Sequence, residues 1–191
     1  PTYALSPTGE LLRGDHPRSL RSWALWWGAY QWPVWERLMH SVQTGEPARP
    51  LVVKARSWEH LSSDAQAAEA FNRAMSELTA IVAAALVERV SFADDTLICD
   101  VGGGRGTLLT AILAHAPRAR GVVLDLAHVR AGAEAHLSDA GMQGRARFEC
   151  ADALISVPGG ATTYVLKSVL HDFDDAQAAR LLDRLGAALA A

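Results

Sequence analysis

Asp100-Val101-Gly102-Gly103-Gly104-Arg105-Gly106 is the stretch whose residue types and spacing most directly suggest chemistry. It closes an apolar run and opens a helical one. Glycine there lets the chain turn tightly and brings backbone amides close to a ligand. A dinucleotide fingerprint requires G-x-G-x-x-G, but counting from Gly102 the sixth position is Thr107. The spacing is instead G-x-G-x-G, with Asp100 two positions ahead of it. An acid so placed repels a pyrophosphate and accepts a cationic or zwitterionic ligand.

Two further acids close apolar runs. Asp125 ends the second, where a carboxylate can accept hydrogen bonds from both hydroxyls of a ribose. Asp152 ends the third, where it can meet an adenine amino group. The alternative for each acid taken singly is that it only caps the following helix. All three at the carboxyl ends of successive strands, together with the glycines, point to a cationic nucleoside, S-adenosylmethionine.

The elements that must position these residues follow from the apolar rhythm. Residues 96–101 form a continuous apolar run of the kind buried on both faces in a parallel sheet. A helix over 107–115, stopped by Pro117, leads to a strand over 121–126. A helix over 127–140, closed by Gly141, leads to a strand at 145–151. A fourth strand over 162–169 precedes a last helix over 174–189, with Leu181, Leu182, Leu185 and Leu189 on one side. This alternation predicts an α/β fold with a doubly wound, Rossmann-like parallel sheet of order 3-2-1-4. All six tryptophans fall within the first 58 residues, which read as helical. Tyr3-Ala4-Leu5 before Pro7-Thr8-Gly9 resembles the tail of a hairpin. Ser19 caps a helix bearing Leu20, Trp23 and Trp27, and Pro33 starts another that runs through Val42 and ends at Gly45. Ser63 and Gln66 suit a capping box before a long helix with Phe71, Met75, Leu78, Val82 and Leu86 on one face. The expected division is a helical segment over 1–90 and an S-adenosylmethionine-binding domain over 91–191.

Composition limits the function classes. The chain has 191 residues, is 50% hydrophobic and carries a net charge of −3, so nucleic acid is not an expected partner. No run of about 20 apolar residues stands out, and no membrane association is expected. Cys99 and Cys150 lie in strand-like runs without metal-ligand spacing. The expectation is a reduced, cytoplasmic protein with no metal.

The chain resembles the S-adenosylmethionine-dependent O-methyltransferases of the plant caffeate and hydroxyindole type, especially their bacterial natural-product branch. The resemblance rests on Leu5–Leu12, His16–Arg21, Thr44-Gly45-Glu46-Pro47-Ala48, Phe71-Asn72-Arg73-Ala74-Met75, Asp100–Gly106, Leu124-Asp125-Leu126, Ala151-Asp152 and Leu170–Asp175. It implies that Asp100, Gly102 and Gly104 surround the methionine part of the cofactor and that Asp125 holds the ribose. Leu126 and Ala153 would border the adenine, and Asp152 would bond to it. Lys167 would approach the cofactor. His171 would be the general base, with Asp172 either positioning the acceptor or capping the last helix, Asp174 and Gln177 being the alternative caps. Phe71 and Met75 would line the pocket of a small hydroxylated aromatic acceptor, and equally suit a packed core. The product would be S-adenosylhomocysteine.

Ala151 stands where the family has glycine, Ala153 where it has a bulky residue, and Phe173 where it has tryptophan. Family members are also nearly twice as long. The expectation is therefore a fragment, a decayed relative or a chain completed by a partner, either as a homodimer or with a complementing chain. The competing readings are a relative with changed chemistry, a non-catalytic subunit that binds the cofactor, and a nicotinamide-dependent oxidoreductase, which Thr107 disfavours.

Overall fold

A computed structural model describes residues 2–53, 58–93 and 96–190. It comprises two compact units, Pro1–Leu78 and Thr79–Ala191.

In the first unit the Pro7-Thr8-Gly9 segment is a short helix, α1 (Pro7–Glu10), rather than the tail of a hairpin. The Ser6 hydroxyl accepts the Gly9 N–H at 3.0 Å, and Pro7 presets the first helical turn. Helix α2 (Arg21–Trp26) follows. The N-cap position is Leu20 rather than the expected Ser19, which stands one residue earlier, its Oγ accepting the Arg21 N–H at 3.2 Å. The first free N–H groups of the helix are held from 55 residues away, where Glu77 Oε2 accepts those of Ser22 at 2.8 Å and Trp23 at 3.2 Å. That places a carboxylate at the positive end of the helix.

A π-helical turn over Trp27–Gln31 leads to α3 (Trp32–Trp35) and α4 (Leu38–Thr44), the latter ending at Gly45 with φ 73°. The single helix expected after Pro33 is thus two, separated where Arg37 leaves helical geometry at ψ 13°. Helices α5 (Pro50–Val53) and α6 (Glu59–Ser63) precede α7 (Ala65–Val87). The α7 cap lies one residue later than expected. Asp64 Oδ1 accepts the Ala67 N–H at 2.9 Å, while the Ser63 hydroxyl donates to the His60 carbonyl.

The tryptophans of this unit pack rather than form a cofactor box. Trp26 stacks on Tyr30 at 4.7 Å and meets Phe71 edge-on at 5.2 Å, and Trp58 lies 5.0 Å from Phe71. By length and apolar composition α7 would also satisfy a membrane span. Its Glu69–Arg73 ion pair and the two N–H groups held by Glu77 are engagements that hydrocarbon would penalise.

In the second unit a four-stranded parallel sheet has the predicted order β3-β2-β1-β4. Its strands are β1 (Leu97–Val101), β2 (Arg120–Asp125), β3 (Ala146–Cys150) and β4 (Thr163–Leu166). Alternation of side chains builds two apolar layers. Ile98 and Val123 face α8 (Thr107–His115) and α9 (Arg130–Asp139), meeting Leu109, Ile112, Leu113 and Leu137. Cys99, Val101, Val122 and Leu124 face α10 (Asp175–Leu189) through Leu181 and Leu185.

At the pole where the strands begin, the Arg145 guanidinium donates to the carbonyls of Leu113 at 2.8 Å, Ala116 at 2.7 Å and Ala119 at 3.1 Å. These are acceptors that the end of α8 and the following turn leave without intrahelical partners. Arg145→Met keeps the apolar stem and removes these bonds. It is expected to lower the free energy of unfolding by about 2–3 kcal/mol, read from the urea midpoint.

Candidate functional site

The residues singled out in the C-terminal half gather where the strands end. Asp100 aligns with Val123 of β2 and Val165 of β4, so its neighbours on both sides are backbone. It is 2% exposed, and its Oδ2 has no hydrogen-bond partner. Burial, then the nearby Asp125 carboxylate, push its pKa up to about 7, against the Leu109 backbone N–H and Lys167, which favour the anion.

The loop above it requires its glycines individually. Gly102 has φ 64°, and a Cβ there would lie 2.8 Å from Val169 Cγ2. A Cβ on Gly103 would lie 2.7 Å from both the carboxyl carbon and Oδ2 of Asp100. The Gly102 N–H donates to the Leu124 carbonyl at 2.8 Å, which ties the loop to β2.

Asp125 closes β2 and holds the other side of the loop. Its Oδ2 accepts the Gly104 N–H at 2.8 Å, and its Oδ1 accepts the Leu126 N–H at 2.7 Å. Burial raises its pKa, opposed by those two N–H groups. Asp152 is exposed just beyond β3, where its Oδ1 accepts the Leu154 N–H at 2.8 Å and shapes a turn. Ala153 beside it packs on the α10 side of the sheet.

Lys167 follows β4. Its Nζ donates to Thr79 Oγ1 at 3.1 Å, and burial lowers its pKa against the pull of Asp100. The predicted strand over 162–169 ends early, because Ser168 takes φ 60°, the left-handed region that residues with a Cβ rarely enter. This bend brings Val169 against Gly102. It is followed by a 3₁₀ turn, Leu170–Asp172, that carries His171. The His171 side chain is 68% exposed, and its Nε2 lies 3.4 Å from Asp172 Oδ1. The capping alternatives resolve in favour of Asp174, whose Oδ1 accepts the Gln177 N–H at 2.7 Å while Gln177 returns the bond. Asp172 is not the helix cap.

The structure therefore brings Asp100, Gly102, Gly104, Asp125, Leu126 and Lys167 to one end of the sheet, with Asp152, Ala153 and His171 on segments following neighbouring strands. Phe71 and Met75 lie in the aromatic cluster of the first unit. The roles of Val169, Ser168 and Thr79 carry no recognisable motif. Among the described residues, no cluster of three or more His, Cys, Asp or Glu side chains has metal-binding geometry.

Residues 35–191 match the O-methyltransferase domain model. The chain belongs to that family. It is 34% identical over 180 residues to the phenazine O-methyltransferase PhzM of Lysobacter antibioticus, covering 94% of this chain and 53% of that protein. It is 36% identical to the O-demethylpuromycin-O-methyltransferase of Streptomyces alboniger, covering 99% and 51%. Among solved structures, the O-methyltransferase NcsB1 from neocarzinostatin biosynthesis superposes with a TM-score of 0.86 at 34% identity. That match covers 98% of this chain and 58% of the other, which holds S-adenosylmethionine and 2-hydroxy-5-methyl naphthoic acid. This O-methyltransferase-family chain spans about half the length of the curated relatives it matches.

Buried Asp100 makes stability depend on pH. Its folded pKa lies above the unfolded value near 3.8, so its contribution is fully present below that value and is lost as pH rises toward about 7. Asp100→Asn abolishes this loss. Relative to wild type, the variant is expected to gain stability from pH 5 to about pH 7, by on the order of a few kcal/mol, and to level off above that, followed by chemical denaturation at each pH.

Proposed function

We propose that the protein is an S-adenosylmethionine-dependent O-methyltransferase acting on a hydroxyl of a small aromatic or polyketide-like natural product. One observation carries the reading. At a single sheet edge, a three-glycine loop lies within contact of a buried carboxyl with an unpartnered oxygen, and Asp125 holds the same loop.

These residues fit the cofactor. The close approach of Gly103 to Asp100 leaves room for backbone and not for a side chain, and unpartnered Oδ2 suits a ligand with a cationic amino-acid end. Gly102 and Gly104 would hold that end. Asp125 has lone pairs left after its two N–H bonds to accept ribose hydroxyls. Leu126 and Ala153 would border the adenine, Asp152 would accept from its amino group, and Lys167 would stand nearby. S-adenosylmethionine supplies an electrophilic methyl group on a sulfonium.

His171 would take the proton from the acceptor hydroxyl. A phenol of pKa about 10 is almost entirely protonated at neutral pH, so a positioned base contributes about 10²–10⁴-fold. Asp172, 3.4 Å from Nε2, would stabilise the imidazolium that forms, in the manner of the acid partner of a catalytic triad. Phe71 and Met75 would line the acceptor pocket.

A second reading, a chain that is completed by another polypeptide, is favoured by two features. Trp32 and Val42 are 64% and 69% exposed, and β4 pairs on one side only among the described residues. Unpaired strand edges and exposed apolar surface both invite a partner. A homodimer or a complementing chain would satisfy them.

Calorimetric titration with S-adenosylmethionine and S-adenosylhomocysteine tests the cofactor site. Micromolar binding is expected, weakened at least about 30-fold by Asp125→Ala, the loss of two charge-assisted hydrogen bonds. A folded protein that binds neither ligand would overturn the reading. In an acceptor screen, His171→Ala is expected to lower kcat about 10²–10⁴-fold with cofactor affinity unchanged. Turnover that appears only when a second polypeptide is added would select the completed-chain reading.

A further inference from the structure

Among the described residues, Ser168 is the one residue with a Cβ that takes a positive φ, at 60°. That region is unfavourable for an L-residue, least so for asparagine and aspartate and most so for β-branched side chains. It persists only where the surrounding structure enforces it, which makes an outlier of this kind a pointer to function. Ser168 is itself exposed, so packing of its side chain does not account for the bend.

Two observations show what the bend does. The first is register. Val101 aligns with Leu166, which sets Gly102 level with Lys167. In a straight strand Val169 would stand two residues further along, about 6–7 Å beyond Gly102. Instead, a Cβ on Gly102 would lie 2.8 Å from Val169 Cγ2. The second is alternation. Tyr164 and Leu166 pack on the α10 side of the sheet and Val165 on the opposite side, so a straight strand would send Val169 to the side of Val165. Val169 packs on the α10 side instead. The left-handed residue therefore both turns the chain back and resets which face the next side chain occupies.

From that seat the turn bearing His171 begins. The Asp172 N–H donates to the Val169 carbonyl at 3.1 Å and closes the 3₁₀ turn over Leu170–Asp172. Val169 thus meets the glycine loop through its side chain and holds the His171 turn through its backbone. Phe173 returns to the α10 side of the sheet, and Asp174 caps the helix that follows. The turn is pinned at both ends with His171 between them.

Resting on the reading in which the glycine loop takes the cofactor and His171 the acceptor proton, we propose that Ser168 is a positioning residue that acts through its left-handed backbone and not through its hydroxyl. One backbone conformation seats Val169 against Gly102 and starts the turn, and so places methyl donor and base relative to each other. Where the residue disfavours that conformation, the free protein relaxes toward extended backbone and Val169 leaves the loop. Ligand binding must then restore the bend, which weakens it.

Four substitutions separate backbone from side chain. Ser168→Ala removes the hydroxyl, and Ser168→Asn exchanges it for a side chain that tolerates the left-handed region. Ser168→Thr keeps the hydroxyl but adds a β-branch, and Ser168→Val adds the branch without it. Calorimetric affinity for S-adenosylhomocysteine is expected to stay within about threefold of wild type in Ser168→Ala and Ser168→Asn, and to fall about tenfold in Ser168→Thr and Ser168→Val. For an acceptor found in the screen, kcat at saturation is expected to follow the same order. An affinity loss in Ser168→Ala as large as that in Ser168→Thr would assign the effect to the hydroxyl and overturn the proposal. So would a lowered urea midpoint in Ser168→Thr and Ser168→Val with affinity unchanged, the mark of a purely structural role. A wild-type kcat in Ser168→Thr alongside weakened binding would overturn the link to His171. If Ser168→Val fails to fold, the contrast between Ser168→Thr and Ser168→Ala decides. A folded wild type that binds neither cofactor nor product would remove the cofactor reading and this proposal with it, whereas binding that is equal across the series would remove this proposal alone.

Discussion

The candidate site rests on a steric limit at one carboxyl group. Asp100 ends the central strand with a neighbour on each side, and the chain must turn over it at once to enter α8. The turn passes so close that a Cβ on Gly103 would stand 2.7 Å from the carboxyl. Everything around the loop obeys that limit. Gly102 takes a left-handed conformation against Val169, Gly106 takes φ 81° against Val123, and Asp125 reaches across to hold the Gly104 N–H. Backbone amides are thereby fixed in place before any ligand arrives, which is how a site avoids reorganising when it binds.

The same limit keeps water from the carboxyl and decides its electrostatics. A carboxylate at the surface would be ionised at neutral pH. Held beneath backbone and beside the Asp125 carboxylate, it favours its neutral form, and its pKa rises to about 7 against the pull of Lys167. Asp125 differs because two N–H groups satisfy its oxygens. Two acids at the ends of adjacent strands therefore differ in kind, one bonded to backbone N–H groups and one buried with an oxygen left unpartnered.

Much of this was legible in the sequence, for identifiable reasons. Strands buried on both faces are continuous apolar runs, and their alternation with helices allows few topologies, so the order 3-2-1-4 followed from pattern alone. Caps made by near neighbours were legible too, as Asp174 with Gln177 shows. Interactions across the chain were not. Glu77 caps α2 from 55 residues away, and Arg145 binds carbonyls about 30 residues before it. Neither leaves a local signature. The left-handed Ser168 was invisible for a different reason, since nothing in its residue type asks for φ 60°. Helix α1 was misread because Ser-Pro-Thr-Gly suits a turn and a capped helical start equally well.

Ser168 nevertheless connects the two parts of the site. A strand that continued straight through 169, as the apolar run suggested, would carry Val169 away from Gly102 and send His171 onward with the strand. The single left-handed residue instead folds the chain back, seats Val169 under the glycine loop and starts the 3₁₀ turn that presents His171 and Asp172. A conformation of this kind costs on the order of 1 kcal/mol or more and persists only where its surroundings enforce it. Here the enforcement is apparent on both sides, from the β1–β4 pairing before it and the Asp174 cap after it. The loop that would hold the cofactor and the turn that would carry the base are thus linked through Val169, one residue beyond the bend, and a change at Ser168 would be felt in both.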